Sequence, residues 1–229
     1  MAIIYRFFNL KHGLRTLQSQ KLKVGRILEL NDPMDCRPAF VNAPVGVSEA
    51  DQADEIKRRL DKFNEQVGVL CFSGTVSDPV LWSHYADHHR GIALGFEPMA
   101  GFKVFPVDYP KENKRPQLQY SELAKIDLNA PHDVLEDVFK RGFAVKANSW
   151  KYEDEARGFV YLGGTCKLDG EKYFLSNPHL WLSRVVLGVK CSISANDIKQ
   201  SGIEKWPRTG DIKVLRAKPR EDSFELDFE

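Results

Sequence analysis

The run VGVLCFS, residues 67–73, limits how this chain can fold more than any other segment does. It is nearly all apolar, has the length of a strand, and ends in the polar residue Ser73. A continuous apolar run of this length predicts a strand that is buried in the centre of a sheet. The preceding residues, 48–66, have apolar side chains at helical spacing and predict an amphipathic helix with one solvated face.

Helices and strands follow each other irregularly along the rest of the chain. Strands are predicted near AIIYRFF, GIALGFE, KVFPVDY, SRVVLGVKC and DIKVLRAK. Helices are predicted near DPVLWSHYADHH and HDVLEDVFKRGFAVK. Because there is no regular β-α-β alternation, the pattern favours an α+β domain over a doubly wound parallel sheet. We expect one domain over residues 1–220, with a mixed or antiparallel central sheet, and an acidic tail over residues 221–229 that frays.

The charge balance and the cysteines argue against several classes of protein. Lys and Arg total 33 against 32 Asp and Glu, so the net charge of +1 supplies no overall field to attract nucleic acid or an anionic membrane. No run approaches the roughly 20 apolar residues that span a bilayer. The four cysteines lie far apart and predict neither a zinc ribbon nor a disulfide scaffold. We expect a cytoplasmic protein with reduced thiols and no membrane partner.

Familiar cofactor motifs are absent from the sequence. It contains no G-x-x-x-x-G-K-[ST] phosphate loop, no G-x-G-x-x-G turn and no G-x-S-x-G elbow. These absences argue against a P-loop ATPase, a Rossmann dehydrogenase and a serine esterase.

The stretch SWKYEDEARGFVYL carries the strongest candidate chemistry. If it is a strand, Glu153, Glu155 and Arg157 project from one face, because side chains alternate along a strand. Two partly covered carboxylates repel, so one pKa rises and one group can handle a proton while the other stays ionised. That division suits cleavage of a glycosidic or N-glycosidic bond. Arg157 is predicted to be a structural partner, and the alternative is an edge strand with one solvated face.

Two further blocks have more than one interpretation. In NDPMD, Asp32 and Asp35 suit a metal or ribose hydroxyls, or simply an Asx-Pro turn. In WSHYADHHRG, His84 and His88 are four residues apart, so on a helix they face the same way, as two ligands of one metal would. A metal-dependent hydrolase or nuclease, and a non-catalytic module that binds a nucleotide or protein through this face, therefore stay open as alternatives.

Five blocks taken in chain order resemble a bacterial family of unknown function. They are a Tyr-Arg pair near the N-terminus, NDPMD, CFS, WSHYADHHRG, and W-x-x-E-x-E-x-R preceded by Lys146. The family is typified by NDPFD, CFS, WxHYAxxHxG and WxxExExR, and Met34 stands where it usually has Phe. This resemblance implies no activity.

A looser resemblance does imply one. The order of Arg6, Ser73 and the Glu153-x-Glu155 pair resembles the ADP-ribosyltransferases of the Arg-Ser-Glu type. The resemblance implies that Arg6 holds the phosphates and ribose of NAD, and that Ser73 orients the nicotinamide half. It also implies that Glu155 binds a ribose hydroxyl and supports the oxocarbenium ion, while Glu153 activates the acceptor. The residues expected to bind NAD are Tyr5, Arg6, Asn31, Asp32, Ser73, Trp82, His84 and Tyr85.

The same resemblance implies a fold and a set of partners. The central sheet is expected to be split into two parts with flanking helices, as in an ADP-ribosyltransferase. NAD is expected as the substrate, and the acceptor of ADP-ribose as water, a protein or a nucleic acid. Such an activity suits a bacterial toxin or a phage-defence effector.

Overall fold

Five α-helices and thirteen strands lie in the part of the chain that the structure describes. This computed structural model describes residues 3–126, 132–163, 166–176, 178–208 and 210–229. In these ranges no helix has the length and apolar character needed to cross a membrane. The helices are α1 (Leu10–Ser19), α2 (Glu49–Gln66), α3 (Pro79–Tyr85), α4 (His132–Val138) and α5 (Ala195–Lys199). The strands are β1 (Ile4–Phe8), β2 (Lys21–Arg26), β3 (Ala39–Val41), β4 (Val67–Ser73), β5 (Ile92–Pro98), β6 (Phe105–Pro106), β7 (Gln117–Gln119), β8 (Glu155–Tyr161), β9 (Cys166–Asp169), β10 (Lys172–Ser176), β11 (Leu180–Leu187), β12 (Lys213–Pro219) and β13 (Leu226–Phe228).

Most of these strands form one mixed sheet. Its order is β13-β12-β11-β5-β1-β4-β2-β10-β9, with β8 beside β4 and β6 beside β8. Within this sheet β11 and β12 are parallel, whereas β5 is antiparallel to both of its neighbours. Strands β3 and β7 form a separate parallel pair. The prediction of a single α+β domain with a mixed central sheet is therefore confirmed.

Strand β4 is buried on both faces, as its sequence predicts. Val67 and Val69 pack into a cluster with Phe63 of α2, on one side of the sheet. Leu70 and Phe72 pack into the larger cluster on the other side. Because side chains alternate along a strand, a strand covered on both faces needs apolar residues at every position. This explains why the run is continuously apolar.

The sheet opens along one edge of β4. Strand β8 pairs with the whole opposite edge, from Val67 to Ser73. The edge facing β1 and β2 is shared, since β2 pairs with residues 68 and 69 while β1 pairs with Ser73. Among the described strands, none pairs with residues 70–72 on this edge. The sheet is therefore open between β1 and β2, beside residues 70–72 of β4.

Helix α3 begins where the sequence predicts. Asp78 caps it, since its side chain accepts a hydrogen bond from the backbone N–H of Val80 at 2.7 Å, and Pro79 occupies the first helical position. Trp82 anchors the helix, because its ring is fully buried and its Nε1 donates to the carbonyl of Val76 at 2.7 Å. Helix α3 is thereby held beside β1.

The acidic tail is ordered, and the prediction that it frays is wrong. Leu226–Phe228 pairs with β12 in antiparallel register, and Leu226 is buried. The backbone N–H of Leu226 also donates to the carbonyl of Ser77, just before α3, at 3.0 Å. Burial of one apolar side chain and pairing of the backbone outweigh the acidic composition of this segment.

Candidate active site

A cavity of about 290 Å³ lies where the sheet opens between β1 and β2. The predicted site residues that line it are Tyr5, Arg6, Asn31, Asp32, Ser73, Tyr85, Glu153 and Glu155. Trp82 and His84 do not line it. Trp82 belongs to the core instead, while the ring of His84 is exposed and lies near the cavity. Most of the residues predicted to bind NAD therefore converge on one place.

A second cavity adjoins the first. The two share Phe7, Asn31, Tyr85 and Trp150 in their walls. The second is also lined by polar and aromatic side chains that include His12, Ser83, His84, Asp87 and His88. Tyr85 and Trp150 therefore stand at the boundary between two parts of one cleft.

Glu153 and Glu155 lie close together, but not because they share a strand, as the sequence predicts. Strand β8 begins only at Glu155, because residues Asn148–Glu153 form a 3₁₀ turn and Asp154 adopts a left-handed conformation, with φ 44°. Glu153 is thus not on the strand, and the single-strand explanation is wrong. The two side chains nevertheless converge, because Lys146 Nζ lies 2.5 Å from Glu153 Oε2 and 3.0 Å from Glu155 Oε2.

Arg157 is the structural centre of this cluster. Its side chain is fully buried, with Nε and Nη2 donating to Glu155 at 2.7 and 2.9 Å. Nη1 and Nη2 donate to Asp35 at 2.8 and 2.7 Å, and Nη1 also donates to the carbonyl of Phe143 at 2.7 Å. The predicted structural role of Arg157 agrees with these contacts. The alternative of an edge strand with a solvated face is wrong, because this guanidinium has no exposed surface.

The NDPMD block divides into two different roles. Asp32 accepts hydrogen bonds from the backbone of Met34 at 2.8 Å, in an Asx turn, and from Trp150 Nε1 at 2.9 Å. Asp35 is instead the second carboxylate partner of Arg157 and lies 3.8 Å from Lys146 Nζ. Asp32 therefore shapes the wall of the cavity, while Asp35 balances buried positive charge.

The pKa values of the two glutamates diverge. Burial would raise the pKa of Glu155, but the charge and hydrogen bonds of Arg157, together with the charge of Lys146, lower it to about 2. Burial raises the pKa of Glu153 above its usual range, because the opposing effects of Lys146 and Tyr85 offset it only in part. The two pKa values are therefore shifted in opposite directions, and the expected division of roles between the two carboxylates stays a prediction.

Arg6 spans the opening in the sheet. Its Nη2 donates to the carbonyl of Lys23 on β2 at 2.7 Å. Its Nη1 is buried, and within the described part of the chain it has no hydrogen-bond acceptor. Burial lowers the pKa of Arg6, so an anionic group bound in the cavity would offset the cost of burying this charge.

Ser73 is occupied by backbone contacts. Its hydroxyl lies 2.6 Å from the carbonyl oxygen of Glu153, to which it donates, and it accepts a hydrogen bond from the backbone N–H of Thr75 at 3.1 Å. In the same turn, the backbone N–H of Gly74 donates to the carbonyl of Asp154 at 2.7 Å. Ser73 therefore holds the turn that carries Glu153, a role different from the contact with nicotinamide that the resemblance implies.

His84 and His88 do not share a helix face. Helix α3 ends at Tyr85, and Asp87, His88 and His89 then adopt left-handed conformations, with φ of 48°, 52° and 69°. The spacing prediction for a pair of metal ligands is wrong for this reason. Within the described residues, no group of three or more His, Cys, Asp or Glu side chains is placed to hold a metal ion.

Strain in this turn leads to a stability prediction. A non-glycine residue in the left-handed region costs roughly 1–2 kcal/mol, whereas glycine adopts it freely at some entropic cost in the unfolded chain. We expect His88→Gly to stabilise the protein by about 1 kcal/mol in urea unfolding. The matched control is His84→Gly, which places glycine within helix α3 and should destabilise by about 1 kcal/mol. A loss of stability in both variants would contradict the assignment of strain.

One stretch of 78 residues, 81–158, contains several parts of the site. They are most of helix α3, the left-handed turn, Lys146, Glu153, Glu155 and part of β8. Residues 81–158 match the family of proteins of unknown function DUF2971. The expected resemblance to a family of unknown function is confirmed for this segment. Arg6, the NDPMD block and Ser73 lie outside the DUF2971 match. No curated protein and no solved structure matches the chain.

Sequence reasoning missed the central part that Lys146 plays. The residue was noted only as preceding the W-x-x-E-x-E-x-R block, yet it contacts Asp35, Glu153 and Glu155 and lies 4.9 Å from the centre of the Trp150 ring. A lone lysine carries no local signal for burial. Its role within the DUF2971 segment depends on the fold that brings three carboxylates to it.

Proposed function

We propose that this protein cleaves NAD between nicotinamide and ribose and passes ADP-ribose to water or to a protein or nucleic-acid acceptor. The observation that carries the proposal is the convergence of Arg6, Glu153 and Glu155 on one cavity of about 290 Å³. These residues come from β1 and from a turn and a strand far along the chain. A carboxylate near the ribose and a cation near the phosphates are the charges that would favour bond cleavage through a cationic transition state.

Each charged group has a part in the proposed reaction. Both oxygens of Glu155 accept hydrogen bonds from Arg157, and Oε2 also binds Lys146, so the ionised carboxylate is held in one position at the cavity wall, where its charge would oppose part of the positive charge that develops on the ribose ring. Glu153 has a raised pKa and can accept the proton of the attacking group. Arg6 offers Nη1 to a phosphate oxygen, and Ser73 holds the Glu153 turn in place.

The test compares carboxamide variants of both glutamates. Purified protein is incubated with NAD that is labelled in the adenosine half, with and without cell lysate, and nicotinamide release and label transfer are measured. We expect Glu153→Gln and Glu155→Gln each to lower the rate of cleavage by about 100-fold or more. Glu112→Gln is the matched control, because this side chain is 70% exposed, forms an ion pair with the exposed Lys114 and is not among the residues that line the two cavities.

Thermal unfolding of each variant separates loss of chemistry from loss of fold. Glu155→Gln leaves Arg157 with a neutral partner and is expected to lower stability, so Glu153→Gln is the decisive variant. Equal rates for wild type and Glu153→Gln would remove Glu153 from the mechanism. Binding of NAD without consumption would instead favour the alternative of a non-catalytic nucleotide-binding module.

A further inference from the structure

Glu153 has little direct access to a ligand. Its side chain is only 6% exposed, and Lys146 occupies Oε2. The other oxygen, Oε1, accepts a hydrogen bond from the hydroxyl of Tyr85 at 2.5 Å. A group that is bound in the cleft would therefore exchange a proton with Glu153 through the hydroxyl of Tyr85.

Tyr85 is placed to make that exchange. It is the last residue of helix α3, it is only partly buried, and it lines both cavities. Its hydroxyl donates to Glu153 and so keeps its oxygen lone pairs for a donor in the cleft. The nearby hydroxyl of Tyr152 contacts His84 Nδ1 at 3.1 Å instead, and that of Tyr109 accepts from the backbone N–H of Glu155 at 2.8 Å.

We propose that Tyr85 is a catalytic residue that relays a proton from the attacking hydroxyl group or water, bound on the side of the second cavity, to Glu153. The inference rests on the proposed function, because it requires an attacking group. It assigns the second cavity, lined by Ser83, His84 and His88, to the acceptor. The chemical class of the acceptor is thereby a hydroxyl-bearing group small enough to reach Tyr85.

The step balances in protons and electrons. The O–H bond of the acceptor breaks and its proton binds the Tyr85 oxygen, while the Tyr85 O–H bond breaks and that proton binds Oε1 of Glu153. The electron pair of the acceptor oxygen forms the new bond to the ribose carbon. Nicotinamide leaves with the electron pair of the N-glycosidic bond, which neutralises its ring nitrogen.

The relay requires a protonated Tyr85 and an ionised Glu153, and neighbouring charged groups act on both. Burial and the carboxylate of Glu153 raise the pKa of Tyr85, so its hydroxyl stays protonated near neutral pH. The charged and titratable groups that act on Glu153 are Lys146, Glu155, Tyr85, Tyr109 and Tyr152. Burial raises the pKa of Glu153, and the positive charge of Lys146 opposes this effect and so favours the ionised form that the relay requires.

The experiment compares Tyr85→Phe with Tyr152→Phe in the full chain. We expect Tyr85→Phe to lower kcat for NAD cleavage by about 100-fold, while KM changes less than about threefold, because the hydroxyl acts only in proton transfer. In mixtures of H₂O and D₂O, the wild-type rate should show two protons in motion, and the variant should lose this signature. Tyr152 precedes Glu153 in the chain, but its hydroxyl contacts His84 and not the Glu153 carboxylate. The Tyr152→Phe variant should therefore behave like wild type.

The outcomes separate the relay from the proposed function. If Tyr85→Phe keeps the wild-type kcat while Glu153→Gln is inactive, NAD cleavage stands and the relay is overturned. If the wild-type protein leaves NAD intact, the proposed function fails, and an infrared titration of the Glu153 carboxyl group still tests the relay. Loss of the Tyr85 hydrogen bond should raise the pKa of Glu153 in Tyr85→Phe but not in Tyr152→Phe. An unchanged titration in Tyr85→Phe overturns the relay.

Discussion

Arg157→Met is expected to destabilise the protein by about 3–5 kcal/mol, since it removes one partner of a buried ion network. Methionine fills much of the same volume but leaves Glu155 and Asp35 buried without the guanidinium that binds both. The carbonyl of Phe143 also loses its donor. Urea unfolding monitored by tryptophan fluorescence measures the effect, which is a large share of the total stability of about 5–15 kcal/mol that is usual for a domain.

The control for this change is Arg15→Met. Arg15 forms an ion pair with Asp169 at 2.9 Å, but the two side chains are 65% and 64% exposed. Exposed pairs contribute about 0–1 kcal/mol, so this variant should unfold close to the wild-type midpoint. Similar losses of stability in the two variants would mean that the buried network around Arg157 contributes no more than a surface pair.

Lys146→Met is expected to lower stability by about 3 kcal/mol near neutral pH and by much less in acid. Without Lys146, the folded-state pKa values of Glu153 and Glu155 both rise. In the wild type, the pKa of Glu155 is lower in the folded than in the unfolded protein. Ionised Glu155 therefore stabilises the fold at pH values above its unfolded-state pKa, and this stabilisation is lost as the pH falls toward about 2. Glu153 has a raised pKa, so its ionised form costs stability as the pH rises.

The changes at Glu155 and at Glu153 both lower the stability of Lys146→Met relative to wild type as the pH rises. Loss of Lys146 reduces the stabilisation from ionised Glu155 and increases the cost of ionised Glu153, so the deficit grows from acidic to neutral pH. Urea midpoints measured across this range test the expectation. Lys57→Met is the matched control, because Lys57 pairs with Asp61 on an exposed face of α2, and this variant should unfold close to the wild-type midpoint at every pH in the range. A deficit that is independent of pH would show that Lys146 acts through packing alone.

Local signals account for the parts of the structure that were predicted. VGVLCFS indicates a central strand because burial on both faces demands an apolar residue at each position. Asp78 and Pro79 indicate the start of α3 because capping depends on a few neighbouring residues. Repulsion between two carboxylates on one strand predicts that one pKa rises, whereas the structure raises the pKa of Glu153 mainly through burial and lowers that of Glu155 through Arg157 and Lys146.

The remaining features depend on contacts between distant residues. Nothing local to Lys146 indicates that Asp35 lies beside it, because 111 positions (146 minus 35) separate the two in the sequence. The left-handed turn after Tyr85 contains no glycine, so the sequence pattern predicts a helix through His88, whereas the helix ends at Tyr85. The acidic tail is ordered because β12 offers an unpaired edge, which its own composition does not reveal.

The distribution of the cavity walls along the chain has a consequence for synthesis. Strand β1, which carries Arg6, pairs with β5. Glu153 and Glu155 reach the cavity only when β8 pairs with β4. Pairing between such distant segments is slow to form because long loops must close first. A chain that is still on the ribosome has made Arg6 long before Glu155, so it holds an incomplete cavity. Under the proposed function, we expect no NAD-cleaving activity from a nascent chain that ends before Glu155.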